Sequence, residues 1–145
     1  MEHEFNKEII TTTGDLLSIK VPPPADIDSF FVFSLPRSGS VMLNNIFSDV
    51  CQRLNIPSLQ IDEDAFRQGI DLNKLADLSS LYSEKGYCYR GFRFFPNYFS
   101  RISLEKHKKI LLVRDPRDVV VSLYYSVQKS HQLPPEGGVR RYLQA

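Results

Sequence analysis

The sequence predicts an α/β protein built on a mostly parallel sheet with helices on both faces. Three observations lead there. Short apolar blocks rich in strand formers, at residues 30–33, 87–95 and 109–113, alternate with stretches of helical period. The first block runs directly into a glycine-bearing loop and a helix, the pattern of a strand feeding a crossover. The 145 residues suffice for one domain with one core, and no internal repeat breaks them up.

Residues 1–26 are expected to be an amino-terminal tail and linker, because residues 21–24 read Val-Pro-Pro-Pro and prolines lack backbone donors. The domain proper is expected over 27–145. Phe30, Phe31, Val32 and Phe33 form a block bounded by Asp28 and by Pro36 and Gly39, the signature of a buried central strand. Met42, Ile46, Val50 and Leu54 then recur every four positions, with Leu43 and Phe47 beside them, which predicts a helix with that stripe as its apolar face. Pro57 ends it.

Residues 58–61 are expected to be a short second strand leading into Asp62, Glu63 and Asp64. Leu72, Leu75, Leu78 and Tyr82 give a weaker helical stripe. The aromatic-rich block 87–95 is the third strand, followed after Pro96 by an expected helix to about Lys106 with Phe99 and Ile102 inward. Residues 109–113 form the last strand. Asp115 and Pro116 supply the N-cap and first-turn residue of a helix to about Lys129.

Composition narrows the function. Eighteen basic and 17 acidic residues leave a net charge of +1, too balanced for a chain that coats nucleic acid or an anionic membrane. Any anion site must be local. Cys51 and Cys88 lack metal-ligand spacing and sit in apolar patterns, which points to reduced core thiols and a cytoplasmic protein. Neither a leader peptide nor a membrane span is expected, and no metal site.

Residues 33–41, Phe-Ser-Leu-Pro-Arg-Ser-Gly-Ser-Val, carry the first chemical signal. Gly39 permits close backbone approach, the following helix begins with unpaired N–H groups, and Ser38, Ser40 and Arg37 add hydroxyls and a fixed positive charge. A phosphate suits such a loop. The plainer reading is a tight turn with a solvated Arg37 and serines that only cap a helix. The Walker pattern is absent, since no lysine follows Gly39, and this disfavours a kinase acting on ATP.

The second signal is residues 111–122, Leu-Leu-Val-Arg-Asp-Pro-Arg-Asp-Val-Val-Val-Ser. It sets Arg114 at a strand's carboxyl end and Ser122 two turns into the next helix, where ligands sit in open α/β sheets. Against it, Val119, Val120 and Val121 look like a strand, and Arg114 and Arg117 could pair with Asp115 and Asp118. Two anion sites on one sheet edge imply a ligand with two separate phosphate groups.

Together these residues resemble the sulfotransferases that use 3′-phosphoadenosine 5′-phosphosulfate (PAPS). Residues 34–40 resemble their 5′-phosphosulfate loop, and 114–122 their 3′-phosphate motif with the same arginine-to-serine interval. The resemblance implies a P-loop-like three-layer α/β sandwich in which Arg37, Ser38, Gly39, Ser40 and Val41 cradle the phosphosulfate, and Arg114 and Ser122 hold the ribose 3′-phosphate. Arg37 would also stabilise the leaving oxygen. The expected function is transfer of a sulfuryl group from PAPS to an acceptor hydroxyl on a small molecule or carbohydrate, without metal or nucleic acid; a homo-oligomer is allowed for.

Cytosolic members of that family place a histidine on the strand matching 87–95, and residues 90–96 have none. Other branches use a glutamate downstream of the loop helix, which makes Glu63 the candidate base; the alternative is that these carboxylates cap the next helix or face water. His107 in a Lys-rich turn, His3 and His131 are poor substitutes. The family continues past the point matching Ala145 with a glycine-rich segment over the nucleotide. The resemblance therefore covers about 30–143, with an incomplete acceptor pocket expected. The alternative function is a truncated or inactive PAPS-binding module without turnover.

Overall fold

The computed structural model of the chain describes residues 5–71, 77–94 and 96–129. Two strands, β1 (Phe5–Ile10) and β2 (Leu16–Val21), form an antiparallel hairpin. Among the described residues the main sheet has four parallel strands, β3 (Phe30–Ser34), β4 (Ser58–Leu59), β5 (Cys88–Phe92) and β6 (Lys108–Leu112), in the order β4-β5-β3-β6. Helices α1 (Ser40–Arg53), α2 (Ile61–Arg67) and α3 (Pro116–Lys129) complete the α/β architecture.

Alternation along β3 builds two cores. Phe31 and Phe33 face one side, where they meet Tyr89, Phe92 and Phe99 with Leu17, Ile19, Leu59 and Ile61. Val32 and Phe30 face the other, against Leu43, Phe47, Cys51 and Cys88. Phe31 is the hub of the larger core, its ring 5.1 Å from that of Tyr89 and 6.4 Å edge-on from that of Phe99.

The hairpin is an element the sequence reading did not foresee within residues 1–26. Leu17, Ile19 and Val21 are buried in the main core while Ser18 and Lys20 are not, a two-residue period hidden by the polar turn before it. The proline segment is also held in place. Ala25 N–H donates to Gly86 C=O at 3.2 Å, Gly86 N–H donates to Ile27 C=O at 2.8 Å, and the Tyr87 hydroxyl donates to Pro22 C=O at 2.9 Å.

Helix α1 is where predicted, but its buried face is rotated. Leu43 and Cys51 are buried and Phe47 is half-buried, whereas Met42, Ile46, Val50 and Leu54 are exposed. Two adjacent four-residue stripes compete in this sequence, and the sheet chooses the one facing Val32 and Cys88. The helix ends in a Schellman motif: Asn55 has φ 53°, Asn55 N–H donates to Gln52 C=O at 3.3 Å and Ile56 N–H to Cys51 C=O at 2.8 Å.

Further differences stand out. Ile61 opens α2 instead of closing β4. The helix expected after Pro96 is two short 3-10 turns, Asn97–Phe99 and Leu104–Lys106, which satisfy the same inward spacing: Phe99 is buried and Ile102 is half-buried. Leu78 and Tyr82 flank another such turn, Ser79–Leu81, while the rest of that stripe, Leu72 and Leu75, lies outside the described residues. Val119, Val120 and Val121 are helical, within α3.

Candidate functional site

The carboxyl ends of β3, β5 and β6 open onto one cleft of ≈ 640 Å³. Its floor is the loop after β3 with the first turn of α1, contributing Pro36, Arg37, Gly39, Ser40 and Val41. One wall is Arg114 after β6 with Val119, Ser122 and Leu123 of α3; the other is Arg93 and Phe94 after β5.

The loop's conformation depends on its residues. Gly39 has φ 104°, a region that disfavours any Cβ, and Arg37 itself sits at φ 62°. The first helical bond runs from Leu43 N–H to Gly39 C=O at 3.0 Å, so the amides of Ser40, Val41 and Met42 have no helical acceptor. They form the positive end of α1. Ser38 takes a different part from that expected: it is buried, does not line the cleft, and its hydroxyl donates to Leu35 C=O at 2.5 Å, bracing the turn.

Arg37 and Arg114 are brought together with Ser122. Arg37 Nη2 donates to Ser122 C=O at 3.3 Å, and Arg114 Nη1 donates to Arg37 C=O at 3.5 Å. Both contacts are longer than the about 2.7–2.9 Å of a strong charge-assisted bond, so an anion can replace them readily. Arg114 Nε also lies 3.5 Å from Asp118, an exposed pair of small worth.

Asp115 caps α3, accepting from Arg117 N–H at 2.9 Å and pairing with the Arg117 guanidinium at 2.7 Å. That guanidinium bonding holds the Asp115 carboxyl below the usual carboxylate range. Arg117 is thus engaged outside the cleft, and Arg114 is the guanidinium of this motif that lines it.

Glu63, the expected base, does not line the cleft; it lies on α2 and pairs with Arg67 at 3.2 Å, one helical turn on. Its neighbour Asp62 is the more enclosed carboxylate. Burial pushes the Asp62 carboxyl upward, partly offset by the Tyr98 hydroxyl that donates to it and by the charge of Arg93. His107 is half-buried against Phe31 and Tyr82, where the Tyr82 hydroxyl contacts its ring nitrogens, Nε2 more closely than Nδ1. It immediately precedes β6, at the opposite end of the sheet from the cleft. His3 and His131 lie outside the described residues.

Arg93 and Phe94 are cleft residues that sequence reasoning missed. They follow directly on a bulge in β5: Phe31 pairs with Tyr89 but Phe33 with Phe92, so three steps on β5 match two on β3. Gly91, at φ 94°, takes up the extra residue. The slip sets Tyr89 and Phe92 in one core, and the chain then bends at Arg93 and Phe94, beside the cleft. The glycine inside an aromatic strand was the available signal.

The family model described as the sulfotransferase domain matches residues 27–145. No curated protein and no solved structure matches the chain. The match spans the sheet, the Gly39 loop and the Arg114 to Ser122 motif, and it carries a P-loop-like fold and sulfuryl transfer as the family's general chemistry. This chain belongs to the sulfotransferase family.

Proposed function

We propose that the chain transfers a sulfuryl group from PAPS to an acceptor hydroxyl, on a small molecule or carbohydrate, with the nucleotide lying across the ends of β3 and β6. The observation that carries this reading is the convergence of Arg37, Arg114 and Ser122 on one cleft whose floor is a helix amino terminus. The donor set suits a doubly phosphorylated nucleotide: the α1 amides and Arg37 for the 5′ group, Arg114 and Ser122 for the 3′ group. When bound, PAPS supplies the activated sulfuryl group. Arg37 and the amides of Ser40 and Val41 would stabilise charge on the leaving phosphate, and Ser38 would keep their turn rigid. Buried free thiols at Cys51 and Cys88 go with a cytoplasmic location.

The test uses the full chain with PAPS labelled in its sulfuryl group and a panel of hydroxyl acceptors. Label appearing on an acceptor is the expected outcome. Binding of the nucleotide without transfer to any acceptor would instead establish a nucleotide-binding module without turnover. That second reading is favoured by one feature, that among the described residues the cleft lining includes no carboxylate or imidazole.

A further inference from the structure

Among the described residues the cleft is lined by three guanidinium groups, and a nucleotide with a 5′ and a 3′ group uses two. In the strand order β4-β5-β3-β6, the Arg37 loop stands in the middle, with Arg114 on the β6 side and Arg93 on the β5 side. A nucleotide spanning Arg37 and Arg114 fills the β6 half. In-line displacement sets the entering and leaving oxygens on opposite sides of the moving group, so the acceptor enters from the β5 half. That half presents Arg93 beside Phe94, a residue 74% exposed.

We infer that the acceptor is anionic, and that Arg93 holds its negative group while the Phe94 ring covers a flat face of the same molecule. This rests on the sulfuryl-transfer reading and names its substrate class. None of the ion pairs among the described residues includes Arg93. Its planar fork is thus available for a carboxylate or sulfate. Asp62, whose carboxylate accepts from the Tyr98 hydroxyl, feels the charge of Arg93, and none of the ion pairs or hydrogen bonds among the described residues joins the two. The shared chemistry is a hydroxyl compound with a carboxylate or sulfate next to a flat apolar surface, which an acidic saccharide or an acidic phenol provides.

The experiment titrates the full chain, saturated with 3′,5′-adenosine bisphosphate, with two matched pairs of probes: methyl glucuronide against methyl glucoside, and para-hydroxybenzoate against para-hydroxybenzyl alcohol. The charged member of at least one pair is expected to bind about tenfold tighter than its neutral twin, as one charge-assisted contact requires. Arg93→Gln should erase that difference and Arg93→Lys should keep part of it, with bisphosphate affinity changed by less than about twofold. The pair with the larger difference assigns saccharide or phenol. A difference that survives Arg93→Gln overturns the inference, as does its absence in the wild type. So does an Arg93→Gln chain that loses bisphosphate affinity in equal measure, which would make Arg93 a nucleotide contact. Should the wild type fail to bind bisphosphate, the nucleotide reading falls separately. The same probe pairs on the free protein then decide the Arg93 assignment by the same criterion.

Discussion

Replacing Gly39 by alanine tests how the phosphate loop is held. At φ 104° a Cβ is strained, yet the space is open: the nearest atoms to an added Cβ would be Leu112 Cδ2 and Met42 Cε, both at 3.7 Å. Only the backbone penalty applies, about 1–2 kcal/mol. Gly86→Ala is the matched control. Its φ of 107° gives a similar penalty, but its Cβ would stand 2.3 Å from Pro24 Cβ, so overpacking of about 1–3 kcal/mol adds to the strain. Urea unfolding of the full chain should therefore rank the variants wild type, Gly39→Ala, Gly86→Ala in falling stability. Affinity for 3′,5′-adenosine bisphosphate should rank differently, with Gly39→Ala weakened and folded Gly86→Ala close to wild type. Relaxing φ at residue 39 turns the α1 amides away from the guest, whereas residue 86 lies on the loop before β5, away from the cleft. Unchanged affinity in Gly39→Ala, or a larger stability loss there than at Gly86, would refute this reasoning.

Other perturbations separate the core from the site. Phe31→Ala removes the ring at the centre of the aromatic cluster and should lower stability by about 3–5 kcal/mol in the same unfolding assay; a loss under about 1 kcal/mol would mean the site collapses freely. Burial raises the Asp62 carboxyl above its ordinary value of 3.8, so its contribution to stability is present in acid and is lost as pH rises through the folded value. Asp62→Asn should then be at least as stable as wild type at neutral pH, with the difference closing below pH 3.8. A variant less stable at neutral pH, with a gap that vanishes in acid, would contradict that sign. Arg93→Gln should raise the Asp62 titration further, as followed by carboxyl NMR, because the charge it removes favours the ionised form.

The parts of the site set by local rules were readable from the chain. An apolar block, a glycine and a helix-period stretch announced β3, its loop and α1, and Asp115 with Pro116 announced α3, whose cap is in place. What was less readable depends on tertiary choice. Which α1 stripe is buried follows from where the sheet lies, because stripes through Leu43 and through Met42 have the same spacing. The inward turn of the Ser38 hydroxyl is a property of one tight turn that composition does not encode. Arg93 lies in the bend just past β5, after a bulge that changes the facing of Phe92, and neither the bulge nor the bend is written in the apolar pattern. The β1–β2 hairpin was legible in principle, since Leu17, Ile19 and Val21 alternate, but the neighbouring prolines outweighed it.

Nucleotide affinity of the full chain, measured by calorimetry with and without Arg114→Ala, bears most directly on the proposed site. Wild type should bind 3′,5′-adenosine bisphosphate in preference to ATP. Arg114→Ala should weaken the bisphosphate by roughly 10–100-fold, the worth of a charge-assisted contact, while leaving adenosine 5′-phosphosulfate nearly unaffected. Equal affinity of the wild type for all three ligands, or an equal loss for bisphosphate and phosphosulfate in the variant, would contradict a 3′-phosphate site at Arg114.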